Sequence, residues 1–265
     1  MHHLPTQPGT IGNVLDHGFK LYINSFRYCF PVALMFALIL GSPELLNLIA
    51  FMDPDSSLFS GSFLALIFVG LLVFYYLMMA MAAVLVRRLH TFAITTPESF
   101  GATLRGGFAK SLTVFGAFIL WALAVLGGSL LLLVPGVIFF VSLGLYLYGV
   151  VIDDDGVVES LGRSHRLVWG NWWRTSAIYM IGFAVTMTLQ VLVYGSVAAV
   201  IGISAVLGEG DAGLAALGAM MVVNVIYNFF VMPFLMSLGY AIFHDLKLRK
   251  EGVDLEARFD ALPDS

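Results

Sequence analysis

Charge is scarce in this sequence. Only 11% of its 265 residues are Asp, Glu, Lys or Arg, against about 25% in soluble domains. Apolar residues fill 60% of the chain, with a mean hydropathy of +0.93, and that balance excludes a soluble globular protein in favour of a membrane protein. The 13 Lys and Arg form no long basic run and the formal net charge is −4, which argues against a nucleic-acid partner. Cysteine is nearly absent: Cys29 stands alone, so no intrachain disulfide forms and the redox compartment is not indicated. Also missing are G-x-x-x-x-G-K-[ST], H-E-x-x-H, C-x-x-C and G-x-S-x-G, which leaves nucleotide hydrolysis, zinc hydrolysis, dithiol chemistry and serine catalysis without a sequence basis. The expectation is a non-enzymatic chain with no cofactor and no metal. The N-terminal MHHLPTQPGT lacks a basic n-region, and the first apolar run begins near residue 28 with no small-residue cleavage site after it. The first span is therefore expected to remain in the mature chain.

Long uncharged runs are what the chain has instead. A helix rises about 1.5 Å per residue and the hydrocarbon layer is roughly 30 Å thick, so about 20 apolar residues cross it. Residues 28–51, 62–86, 112–132, 135–152, 175–200 and 216–243 qualify. Pro135-Gly136 reads as the tight turn of a hairpin, and Pro43, Gly202 and Pro233 as bends. The expected fold is all-α and integral to the membrane: six spans as three hairpins over 1–250, then a solvated tail over 251–265, with Gly252 as the C-cap of the last helix.

The cations sort to one side. Lys20, Arg27, Arg87, Arg88, Arg105, Lys110, Arg163, Arg166, Arg174, Lys247, Arg249, Lys250 and Arg258 all flank the same ends of the spans, while the opposite turns carry Asp53, Asp55, Glu209 and Asp211. The positive-inside rule then places both termini in the cytoplasm.

Each segment leading into a hairpin contains a similar phrase: Ile11-Leu15-Gly18-Tyr22, Phe100-Leu104-Gly107-Ser111 and Val157-Leu161-Ser164-Val168. Steps of 4, 3 and 4 keep all four positions on one helical stripe. This predicts a short amphipathic interface helix before each hairpin, capped by Thr10, by Thr96 with Pro97 following, and by Asp155. The same stripe is also what any helix lying on a membrane displays, so it reports duplication or plain amphipathicity. A tiny residue at the third position in every case would let another backbone approach closely.

Two groups of side chains are candidates for function. Arg87, Arg88, Arg166, Trp169, Trp172, Trp173, Arg174, Lys247, Arg249 and Lys250 gather where aromatic and cationic residues meet a lipid interface. The implied partner is the anionic inner leaflet, with a second membrane protein or another copy of the chain as a further expectation. Counting along the helices puts Glu44, Asn47, Gln190, Asn224 and Asn228 at similar depth in the outer third of the membrane, where polar groups are costly. They read either as a polar chamber that binds a solute or as interhelical hydrogen bonds. His17, His90, His165 and His244 fall one to each basic segment without ligand spacing, and Asp153-Asp154-Asp155 reads as a solvated turn.

Three passages carry a family resemblance: TIGNVLDHGFKLYINSF, then LLVPGVIFF with VVIDDDGVVESLGRSHRLVWGNWWR, then FHDLKLRKEGVDLE. Together they resemble the bacterial glycerophosphoryl diester phosphodiesterase membrane-domain family, including its stand-alone membrane relatives. The resemblance is most specific at Asp245, Lys247, Arg249, Lys250, Glu251, Gly252, Asp254, Leu255 and Glu256. It implies a multi-pass protein of the bacterial cytoplasmic membrane, loosely linked to envelope phospholipid metabolism. It does not imply phosphodiesterase activity, because the soluble catalytic barrel of those relatives has no counterpart here. Relatives often carry an arginine several residues after the Pro-Gly turn, where this chain reads FFVSLGLYLYG. The leading expectation is action through lipid or protein contacts at the cytoplasmic leaflet. The alternatives are a permease or channel component using the polar layer and a membrane-embedded lipid-headgroup enzyme.

Overall fold

The computed structural model describes residues 4–52, 61–206 and 212–260, with side chains over 4–44, 65–202 and 216–250. Every described regular element is helical: α1 (Ile11–Met52), α2 (Gly61–Ala93), α3 (Phe100–Leu131), α4 (Leu133–Leu143), α5 (Tyr146–Ile152), α6 (Val157–Val168), α7 (Trp172–Val206) and α8 (Ala212–Asp260). Six stretches are long and apolar enough to cross a membrane: Ile11–Glu44, Ala65–Ala93, Phe100–Leu131, Leu133–Ile152, Trp172–Gly202 and Ala216–Lys250. With the bilayer unable to hydrogen-bond the backbone, helices satisfy those groups within each segment.

The longest interface joins the first and last spans. Along α1 and α8, Tyr22 meets Phe234, Phe26 meets Phe229 and Phe230, and Phe30 meets Phe229, with ring centroids 5.2–5.8 Å apart. The paired numbers fall on one helix as they rise on the other, so the two run antiparallel. On α1, a Cβ at Gly18 would lie 3.1 Å from the Leu238 Cα, and one at Gly41 would lie 2.5 Å from Val225. Between α2 and α3, Tyr76 and Ser111 hydroxyls are 2.8 Å apart, and a Cβ at Gly107 would come within 2.6 Å of the Val84 Cα. The core is concentrated toward the charged end, where Leu21, Met81, Leu85, Leu89, Leu145, Ile178, Ile242 and Leu246 are fully buried. Toward the other end, Leu66, Leu123, Leu130, Leu131 and Leu192 are more than half exposed, as lipid-facing side chains can be.

Several boundaries depart from the sequence-based expectation. The first two amphipathic stripes are the opening turns of α1 and α3, since no breaker separates them from the apolar runs. Only the third forms a helix of its own, α6, ended by Gly170 at φ +92°. In all three the tiny third residue is buried. Gly18 and Gly107 meet neighbouring backbones. Ser164 accepts from the Leu145 amide at 3.0 Å and donates to the Ser142 carbonyl at 2.8 Å. That serine bridges a break between α4 and α5 inside the expected 135–152 span.

The turn between α3 and α4 is at Leu132, which is extended (φ −161°, ψ 147°). Pro135 lies in the first turn of α4, where a missing N–H is tolerated. Thr10 does cap α1, accepting from the Asn13 amide at 3.2 Å. Ser99, not Thr96, caps α3. The reason is Tyr28, whose hydroxyl takes both the amide and the carbonyl of Glu98 at 2.9 Å and so holds that residue outside the helix. Gly156, not Asp155, begins α6, with Glu159 reaching back to its amide at 3.5 Å. α8 continues through Gly252 to Asp260, since one interior glycine costs only about 1 kcal/mol. The tail is thus helical for most of its length, and the GEGDAG turn lies largely outside the described residues.

Gly107→Val is expected to destabilise the protein by about 1–3 kcal/mol through overpacking against α2, whereas Gly101→Ala, with nothing within 4 Å of its Cβ position, leaves stability unchanged or slightly raised. Thermal unfolding in detergent distinguishes the two.

Candidate functional site at the charged end of the bundle

α1, α3 and α7 begin at one end of the bundle, and α2, α5 and α8 finish there. Most of the described charge is at this end, and much of it is paired inside the protein. Arg87 forks onto Glu98 at 2.7 and 3.0 Å, tying α2 to the turn before α3. Arg88 is buried. Its Nε donates to the Tyr28 carbonyl at 2.6 Å, Nη1 to Thr103 at 3.3 Å, and the guanidinium carbon lies 3.8 Å over the Tyr28 ring.

Of the three carboxylates expected as a solvated turn, Asp154 is exposed at 78%, whereas Asp153 and Asp155 are turned inward at 13% and 2%. Asp153 receives Lys247 at 2.7 Å and Arg163 at 3.3 Å, Asp154 pairs with Lys110, and Asp155, buried, meets the Arg163 Nε at 2.6 Å. Burial raises the Asp155 carboxyl above its ordinary value, with Arg163 opposing the shift. Burial pulls Arg163 down, but the bond and charge of Asp155, with Asp153 and Glu159, carry it above its ordinary value. It stays charged.

A second knot gathers the chain's two ends. Asp245, buried, accepts from the Gly9 amide at 2.8 Å and from Arg174 and Arg249 at 3.1 and 2.9 Å. Both arginines also donate to the Gly9 carbonyl at 2.5 Å. The His244 Nε2 donates to the Pro5 carbonyl at 3.0 Å. Residues 5–9 thereby form a strap over a cavity of about 550 Å³ between α1 and α8, walled by Asn13, His17, Lys20, Asn24, Ala241 and His244 among others.

The interfacial group divides accordingly. Arg87, Arg88, Arg174, Lys247 and Arg249 turn inward to partners. Arg166, Trp169, Trp173 and Lys250 are exposed, Trp169 by 57% and Trp173 by 82%. Trp172 is half-buried, its ring 4.8 Å from that of Trp173. The Lys250 Nζ would lie 3.7 Å from a Cβ at Gly170, which brings that turn of α8 beside the α6–α7 corner.

In the polar layer, Asn228 donates to the Asn224 carbonyl and side-chain oxygens at 2.9 Å, one turn apart on α8. Tyr194 on α7 places its hydroxyl against the Asn224 side chain and within electrostatic reach of Glu44 on α1. Gln190 is half-buried one turn away on α7, and the Asn47 side chain lies outside the described residues. Among the described residues, no group of three or more His, Cys, Asp or Glu is placed to hold a metal ion.

Sequence reading missed Tyr194, Gly9 and the Asp245 knot. The only signal for the knot was an acid in the otherwise basic run after α8 leaves its apolar stretch.

Residues 28–237 match a family model described as Domain of unknown function (DUF7847). The chain belongs to that family. No curated protein and no solved structure matches it. The DUF7847 match does not link the chain to the glycerophosphoryl diester phosphodiesterase membrane domains. Two of the three passages that carry that resemblance, at 10–26 and 243–256, lie outside the matched residues.

Asp245→Asn is expected to cost about 3 kcal/mol, because it leaves two arginines with their carboxylate removed in a largely buried knot. Asp16→Asn, whose partner Lys20 is 62% exposed, costs under about 1 kcal/mol. Denaturation in detergent at neutral pH measures both.

Proposed function

We propose that this DUF7847 member is a non-enzymatic multi-pass membrane protein that acts through lipid contacts at its charged end, with that end and both termini facing the cytoplasm. The observation that carries the reading is the exposed α6–α7 corner, where Arg166, Trp169, Trp173 and Lys250 come together beside an amphipathic helix. Tryptophan prefers the headgroup level of a bilayer, and a cation near an anionic leaflet gains about 1 kcal/mol. Val158 on α6 is 73% exposed, which suits a helix lying against acyl chains. A bacterial cytoplasmic membrane and a link to envelope phospholipids rest on the resemblance alone.

The test is thermal stability in nanodiscs of phosphatidylcholine with and without phosphatidylglycerol. The anionic lipid is expected to raise Tm, and Arg166→Gln with Lys250→Gln to remove most of that gain. Equal Tm in both lipids would overturn the reading.

A second reading, solute permeation, is favoured by the pairing of Tyr194 of α7 with Asn224 of α8 within electrostatic reach of Glu44 of α1. It predicts solute flux in proteoliposomes that Glu44→Gln reduces at least tenfold. Flux that is absent, or unchanged by the substitution, counts against it.

A further inference from the structure

Arg174 and Arg249 come from different helices, yet each aims its Nη2 at one oxygen, the Gly9 carbonyl. Their side chains are 17% and 29% exposed, and one buried carboxylate, Asp245, faces them both. One positive charge is therefore in excess around a neutral acceptor. Guanidinium bonds to ionised oxygens are roughly twice as strong as those to neutral ones, and the planar fork of arginine matches phosphate better than a single carbonyl. The carbonyl belongs to residues 5–9, a short non-helical strap ahead of α1, held by this contact, by the Gly9 amide on Asp245 and by His244 on Pro5. The space beneath is about 550 Å³ and reaches the knot at Gly9 and Asp245, the arginines standing behind them outside its lining; that volume is within the usual range of roughly 300–1,000 Å³ for small-ligand sites. Its α1 wall repeats Asn13, His17, Lys20 and Asn24 in steps of 4, 3 and 4, and also carries Asp16, whose charge Lys20 offsets at 2.7 Å.

We propose that the Gly9 carbonyl holds the place of a phosphate oxygen: residues 5–9 are a lid over a phosphate-binding site in which Arg174 and Arg249 take the anion and the cavity takes the group attached to it. The chemistry is that of a phosphate ester, whether a lipid headgroup or a soluble compound. The proposal is independent of the exposed α6–α7 corner, since neither arginine belongs to that surface.

The experiment uses the full chain in phosphatidylcholine nanodiscs at constant ionic strength. Thermal shift is followed during titration with inorganic phosphate and with glycerol 3-phosphate, and in separate discs containing phosphatidylglycerol. A response to the soluble phosphates identifies a soluble ligand. A response confined to phosphatidylglycerol that Arg166→Gln with Lys250→Gln leaves in place identifies a headgroup. In either case Arg174→Gln or Arg249→Gln is expected to weaken binding at least tenfold. Deleting residues 4–9, which removes the Gly9 carbonyl and keeps the Thr10 cap of α1, is expected to strengthen it roughly tenfold, because the lid no longer competes for the open state. The deletion also serves if the arginine variants fail to fold. The proposal is overturned by no phosphate or headgroup response in either the intact or the lid-deleted chain, by a response indifferent to both arginines, or by a deletion that lowers stability without raising affinity.

Discussion

One turn of α8 holds this bundle together. Leu238 inserts against Gly18 of α1 and would clash with a Cβ at Gly182 of α7. Gly239 leaves room for Tyr148 of α5, whose hydroxyl donates to the Met236 carbonyl at 3.0 Å. Tyr240 faces His90 of α2 at 3.1 Å. Successive residues on a helix point about 100° apart, so three in a row reach different neighbours. The constraint is spatial: helices come this close only where one of them offers no side chain. Three glycines, on α1, α7 and α8, supply that absence.

Below that turn the same helix changes role. Asp245 and Lys247 continue its contacts with ion pairs to α7 and to the end of α5, and Asp245 and Arg249 with hydrogen bonds to the strap ahead of α1. A chain whose cations fall at one end gathers enough positive charge there to repel itself. The inward-facing carboxylates Glu98, Asp153, Asp155 and Asp245, with Asp154 at the surface, offset this, each against a named cation. What stays outward among the described residues is a smaller set, Lys20, Arg27, Arg105, Arg166 and Lys250, the last two at the corner with two exposed tryptophans. The division separates cations that build the fold from those available to a lipid surface.

Much of the architecture was legible in the sequence because its cause is local. Uncharged runs long enough to cross a bilayer announce themselves, and so did the tiny third residue of each stripe, which is where backbones or backbone bonds meet. Boundaries were less legible. Tyr28 decides where α3 begins by occupying Glu98 from 70 residues away, and Ser164 stabilises a break in a span that hydropathy reads as continuous. Asp153 and Asp155 looked solvated, as Asp154 is, because their partners Arg163 and Lys247 are brought to them only by packing. In the polar layer, Glu44, Asn224 and Asn228 could be aligned by counting, while Tyr194 was overlooked because tyrosine is common at any depth.

By itself, then, the sequence determined that the chain is helical, that six of its stretches suit a membrane and that positive charge gathers at one end. All three follow from composition and spacing along the chain, which hydropathy and helix rise convert directly into structure. Tertiary structure decided which cations are consumed by internal carboxylates, where the strap before α1 is fastened, and that a cavity lies beneath it. Those outcomes depend on residues such as Gly9, Arg174 and Asp245, distant along the chain and adjacent only once α1, α7 and α8 have packed.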